Sequence, residues 1–200
     1  MNPGDTNVPL SGGFTLAGET HLVADDQTAT GTFNFGGLRF DFKLTTQVFH
    51  NPTTGGLDFV YQLTNTGPNN STGDSFERLT VSSYSGYSTD VDYAANTGAT
   101  LSSMIADVSA KDADRSLPTG SVVGYDFTDP LAPGSETDLL IVRTDATMVV
   151  PGSASVIDGT AHNALVQAPF GAVVLPEPAS LSLICIASVG LLGRRRRAIK

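Results

Sequence analysis

Nucleophilic hydrolysis needs a hydroxyl or thiol, an acid–base partner and a group to orient it, and His21, His50, His162 and many serines supply the residue types. The local signature is absent. Gly86-Tyr87-Ser88-Thr89-Asp90 approaches a nucleophile elbow but ends in aspartate where the second flanking glycine belongs, and no alternating strand and helix units surround it. The histidines are far apart in sequence and form no HExxH pair, so each reads as a strand-end or loop residue and not as a metal ligand. Paired carboxylates for glycoside hydrolysis are a residue-type possibility that so acidic a chain always offers, and the sequence singles out no pair. No catalytic residue is therefore expected, and the body reads as a non-enzyme.

Calcium is the more natural ligand for such a chain, because exported all-β domains tie loops with aspartate oxygens. Asp90 and Asp92 and Asp112 and Asp114, expected in loops, and the stretch Asp126 to Asp129, which begins in an expected strand, offer such oxygens. None forms an EF-hand loop, and solvated polar loops are the plainer reading, so no cofactor is expected beyond that structural calcium. Cys185 is the single cysteine, which excludes a disulfide framework and zinc–thiolate chemistry in the body. With no tryptophan, a sugar platform would have to use Tyr84, Tyr87 and Tyr93. Thr28, Thr30 and Thr32 would share one face of a strand, a row able to meet ice or polysaccharide hydroxyls but also the ordinary polar face of an edge strand.

Charge narrows the partners. The chain has a formal charge of −9, yet Arg194, Arg195, Arg196, Arg197 and Lys200 sit at its very end, so residues 1–175 are more acidic still. Their six cations face nineteen acids, a formal charge of −13. A body of that sign has no basic face for phosphates, and nucleic acid is excluded as a partner.

The elements that must position these residues are short strands. From Leu10 to Val174 apolar residues recur with a period of two and not 3.6. In Leu38 to Leu44, Leu38, Phe40, Phe42 and Leu44 point one way and Arg39, Asp41 and Lys43 the other. Leu57, Phe59, Tyr61 and Leu63 repeat the pattern after the turn chemistry of Asn51 to Gly56, which predicts a hairpin. Further strands are expected at 20–24, 28–35, 78–83, 122–127, 137–144, 155–158 and 165–174, with one helical turn around 101–108. This predicts an all-β fold, an antiparallel β-sandwich over 20–174 with a jelly roll as the near alternative, behind a partly loose N-terminal segment 1–19. The core would draw on Phe14, Phe33, Phe35, Phe40, Phe42, Phe59, Tyr61, Val81, Tyr125, Phe127, Leu140 and Val142.

Residues 175–200 have a different composition. Pro176-Glu177-Pro178 forms a stiff, extended hinge, because each ring removes a backbone donor and restricts its predecessor. The stretch 179–193 carries no charge. As a helix at about 1.5 Å per residue it would cover roughly 22 Å of a hydrocarbon layer about 30 Å thick, short for a permanent span. Arg194, Arg195, Arg196 and Arg197 follow at once and would hold the C-terminus on the cytoplasmic side, with the body across the membrane. A buried C-terminal helix or a plain tail anchor are the other readings, and the arginine run argues against burial.

Hinge, apolar stretch and arginine run, in that order, resemble the PEP-CTERM sorting signal of Gram-negative bacteria, and residues 53–61 and 74–92 resemble the bodies of some proteins that carry it. Residues 130–144 also show a loose similarity to exported sandwich domains. The resemblance implies a transmembrane helix over 179–193, recognition of Pro176, Glu177 and Pro178 by an exosortase-type membrane transpeptidase, and processing near that motif. It implies a passage through the inner membrane, a cell-surface or extracellular-matrix destination, and exopolysaccharide as a further partner. It implies no catalysis in the body; a secreted glycan-active enzyme and an adhesive or ice-binding module are the alternatives. Proteins of this kind begin with a signal peptide, and Met1 to Asp5 has neither a basic nor an apolar run, so a start further upstream is expected.

Overall fold

Alternation of apolar and polar side chains leaves each strand one face to bury, and two sheets meet that need by turning those faces on each other. The computed structural model describes residues 1–68, 74–94 and 108–170, apart from the side chain of Phe35. The strands are β1 (Val8–Pro9), β2 (Thr20–His21), β3 (Gln27–Phe35), β4 (Leu38–His50), β5 (Leu57–Asn65) and β6 (Phe76–Ser82), then β7 (Thr89–Ala94), β8 (Ala110–Arg115), β9 (Val122–Leu131), β10 (Leu139–Thr144), β11 (Met148–Asp158) and β12 (Thr160–Phe170). One sheet runs β1-β8-β9-β6-β11-β12, and the other β2-β4-β5-β10-β7 with β3 also paired to β4. Among the described residues all ladder pairs are antiparallel, and they are nearly all β in two curled antiparallel sheets, consistent with the expected sandwich. The helical turn expected around 101–108 and the C-terminal helix fall outside the described residues, save Val108.

Two successive strands, β6 and β7, lie in different sheets, as do β9 and β10; β6 pairs with β9 in one sheet and β7 with β10 in the other. The sheets are thus linked crosswise through the chain. Their inner faces form one core, in which Leu44, Phe59, Leu63 and Leu140 from one sheet meet Leu79, Val123, Val156 and Val166 from the other. Two phenols bridge it. Tyr61 Oη donates to the Gln167 carbonyl at 3.0 Å, which leaves the Tyr84 hydroxyl as donor in the 2.6 Å Tyr84–Tyr61 bond. Tyr125 Oη donates to the Ile141 carbonyl at 2.9 Å. Burial, the largest cause in each case, raises all three phenol pKa values, so they stay neutral donors.

The hairpin expected from 38–44 and 57–63 is present as β4 and β5, longer than the alternation suggested, with Leu44 opposite Leu63 and Val48 opposite Phe59. Of the expected core, Phe40, Phe42, Phe59, Tyr61, Val81, Tyr125, Phe127, Leu140 and Val142 are buried, whereas Phe33 and Phe14 are half-buried. Phe14 belongs elsewhere, in a second small cluster with Leu16, Phe49, Val60, Ala94, Leu139 and Ile141.

That cluster changes the account of the N-terminus. In β5 and β10 the residues of outward parity, Val60, Leu139 and Ile141, are apolar, and a strap made of residues 11–19 crosses the outside of the sheet to cover them. Segment 1–19, expected as partly loose, is tied at several points. The Met1 ammonium donates to the Thr89 carbonyl, β1 pairs with β8, and the Gly4 amide donates to the Arg115 carbonyl at 2.8 Å.

Candidate functional site

The aspartates expected in loops as calcium ligands stand in strands. Asp90 and Asp92 lie in β7, Asp112 and Asp114 in β8, and Asp126 and Asp129 in β9. β7 belongs to one sheet and the paired β8 and β9 to the other, and protein groups occupy the carboxylates of Asp92, Asp112, Asp114 and Asp126. Asp92 accepts the amides of Ser11 (3.0 Å), Gly12 (2.9 Å), Gly13 (2.9 Å) and Tyr93 (2.9 Å) and the Ser11 hydroxyl (2.9 Å). Burial pushes its carboxyl up, but these donors prevail and hold it below the usual aspartate range. Arg78 bridges Asp114 (2.5 Å) and Asp126 (2.6 Å), and Lys111 lies 3.7 Å from Asp112. Among the described residues no three His, Cys, Asp or Glu are grouped as a metal site.

The other candidates are likewise dispersed. His21 bonds Asp26 at 2.7 Å, His50 is exposed at the end of β4, and His162 stacks on Phe33 and bonds the Thr160 hydroxyl at 3.0 Å. Gly86 to Asp90 is a turn running into β7, and no helix follows it as a nucleophile elbow requires. Tyr84 is fully buried and cannot join Tyr87 and Tyr93 in a sugar platform. Thr28, Thr30 and Thr32 do share an exposed face of β3, opposite Thr45, Lys43 and Asp41. Pro176, Glu177, Pro178, the 179–193 stretch and Arg194, Arg195, Arg196 and Arg197 lie outside the described residues. Among those described, no helix is long and apolar enough to cross a membrane.

The structure instead assembles a cleft of about 590 Å³ where the strap leaves the sheet. Its walls are Thr15 to Glu19 of the strap, the 51–54 turn after β4, Ser88 and Asp90 at the start of β7, and Arg143 to Asp145 at the end of β10. Arg143 organises the floor. It faces Asp58 on one side of the ladder and Asp90 on the other, and it turns to Asp58, with Nε–Oδ2 at 2.6 Å. Its Nη2 donates to Glu19 (3.0 Å) and to the Thr15 carbonyl (2.8 Å), while its guanidinium lies 4.1 Å over the Phe14 ring.

Glu19 and Asp58 are the unusual pair. Their side chains are 5 % and 1 % exposed, and Glu19 Oε2 and Asp58 Oδ1 accept no bond from any donor. Each carboxyl thus gives one oxygen to Arg143 and keeps one without a donor, so a second negative charge on the pair finds no further partner. Burial first, then the Asp58 charge, lifts Glu19 to about 7 despite the opposing Arg143; burial also raises Asp58. Asn51 steadies the pair by donating to Glu19 Oε1 at 3.3 Å. Glu19, Asp58 and Arg143 were not singled out by sequence, since they come together only because the strap crosses the sheet. The available signal was the apolar residues of outward parity, Val60 and Ile141, which required a cover.

The cleft can offer hydroxyls and carboxylates to a polar ligand. Among the described residues it holds no serine or cysteine paired with a histidine, and its two buried acids share Arg143. No family model, curated protein or solved structure matches this chain.

Proposed function

We propose that this chain is an exported cell-surface or extracellular-matrix protein, delivered by residues 175–200 to an exosortase-type membrane transpeptidase, and that its β body is a non-catalytic structural or binding module. One observation carries the reading: Pro176-Glu177-Pro178, fifteen uncharged residues and four arginines follow one another in that order. The stretch 179–193 is then the transmembrane helix during sorting, with the body outside the cytoplasm. The body is a β-sandwich whose last described strand ends at Phe170, a few residues before the motif, which favours access by a membrane enzyme.

Exopolysaccharide is the ligand proposed for the cleft, whose Thr15, Thr53, Thr54 and Ser88 side chains suit sugar hydroxyls. The deciding experiment is the mass of the C-terminal peptide of protein recovered from its native cells. A chain ending near Pro178 is expected; a chain still ending at Lys200 in the membrane fraction overturns the sorting reading and makes 179–193 an anchor.

A glycan-active enzyme is the second reading, favoured by the single fact that a proton-holding carboxyl lines the cleft with Asp90 and Asp145. Turnover of chromogenic glycosides that is abolished in Glu19→Gln would establish it. No turnover is expected.

A further inference from the structure

The strap is held at two ends by different chemistry. At its start, Asp92 grips the amides of residues 11–13, a set of bonds that persists at every pH above the aspartate range. At its far end, Glu19 is a buried carboxyl that shares Arg143 with the buried carboxyl of Asp58, one oxygen of each is left without a donor, and Arg143 can offset only one negative charge of the two. Between the ends, Phe14 and Leu16 cover Phe49, Val60, Ala94, Leu139 and Ile141. The strap takes part in no ladder until β2, so side chains do most of the holding. Gly18, at φ +85° with open space beside it, provides a pivot next to Glu19.

We propose that residues 14–19 are a proton-operated cover: one proton shared by Glu19 and Asp58 clasps the strap to the sheet, and its loss to solvent frees Glu19 from Asp58 and uncovers the apolar strip of Phe49, Val60, Leu139 and Ile141. The charges facing Glu19 decide the sign. Arg143 comes from β10, Asp58 from β5, Asn51 from the turn, Asp90 from β7 and Asp145 from the segment after β10. His50 sits across the ladder from Thr20, beside the strap's end. Arg143 is the one cation of fixed charge in this set, so a second negative charge on the pair has no counter-ion there, and Asp90 and Asp145, which line the same cleft, supply none. A free Glu19 has its ordinary acidity near 4.5, whereas the clasped one holds its proton to about 7. The clasped state therefore binds more protons between these values. Closure is complete in acid and weakens as pH rises through that window, with the open-to-closed ratio rising roughly 100-fold from pH 5 to pH 8. This inference concerns the body alone and stands whether or not the tail is processed.

The chain has no tryptophan, so Phe14→Trp in the full-length protein places a single reporter under the Arg143 guanidinium. Acrylamide quenching of that tryptophan between pH 4.5 and 9 is expected to rise with a midpoint near 7 while the far-ultraviolet circular dichroism stays constant. Adding Glu19→Gln, which donates to Asp58 as the protonated acid does, is expected to keep quenching low throughout. Adding His50→Asn is expected to leave the transition in place. A flat profile in Phe14→Trp, a transition that survives Glu19→Gln, or one that vanishes with His50→Asn overturns the proposal. Should the tryptophan disturb folding, hydrogen exchange of the 11–19 peptide at pH 8 gives the same decision without it. Exchange at least tenfold faster in the unaltered chain than in Glu19→Gln supports the cover, and equal rates overturn it.

Discussion

At the scale of single residues, the molecule relies on a few buried charges whose partners are backbone groups. Arg115 is 4 % exposed and makes no ion pair among the described residues. Its Nε donates to the Gly120 carbonyl (3.0 Å), Nη1 to that of Met1 (2.8 Å), and Nη2 to those of Tyr84 (2.9 Å) and Tyr87 (2.8 Å). Burial lowers its pKa, yet a guanidinium remains charged at neutral pH. A lysine cannot reach four carbonyls with one ammonium. Arg115→Lys is expected to lower stability by about 3 kcal/mol in urea titration, the cost of leaving buried carbonyls without donors. Asp92 answers for the strap's first end. Its carboxyl is held below the ordinary value of 3.8, so the stability it contributes is complete above that value and is lost as pH falls through the lowered one. In Asp92→Asn the decline of the urea midpoint below pH 4 is expected to be shallower than in the unaltered chain.

At the scale of elements, the turns depend on close backbone approach. A Cβ on Gly56 would strike the carbonyl oxygen of Thr144, where the β4–β5 turn passes the end of β10. Gly56→Ala is expected to cost about 2 kcal/mol in chemical denaturation, and Gly55→Ala less because open space surrounds it, although its φ of +74° is strained for alanine. Strands whose apolar residues alternate cleanly were legible, and β4 and β5 appear where 38–44 and 57–63 placed them. β7 and β8 were not, because Asp90, Asp92, Asp112 and Asp114 occupy their outward positions and read as loop ligands. Only the structure shows what covers such carboxylates: the Ser11–Gly13 amides for Asp92 and Arg78 for Asp114. The cleft was less legible still. Its parts at 15–19, 51–54, 88–90 and 143–145 are joined by a crossing strap, a contact between distant segments that no local pattern encodes.

At the scale of the whole molecule, one core and two phenolic bridges make the sheets depend on each other. Val156 in one sheet and Leu140 in the other are fully buried in the same cluster. Leu140→Ala and Val156→Ala are each expected to shift a single unfolding transition, the leucine by about 3 kcal/mol and the valine by somewhat less. Far-ultraviolet dichroism and near-ultraviolet tyrosine signals should coincide in both; separated transitions would show that the sheets unfold independently. The N-terminal strap has a consequence in time. Residue 1 is fastened at Thr89 and Arg115, residues 11–13 at Asp92, and residues 15 and 19 at Arg143. A chain that leaves a ribosome or a translocation pore head first presents these residues long before their docking sites have emerged. The far end of the strap therefore waits, unfastened, until β10 has followed it out by more than 120 residues, and a part delivered before the sheet is among the last to settle.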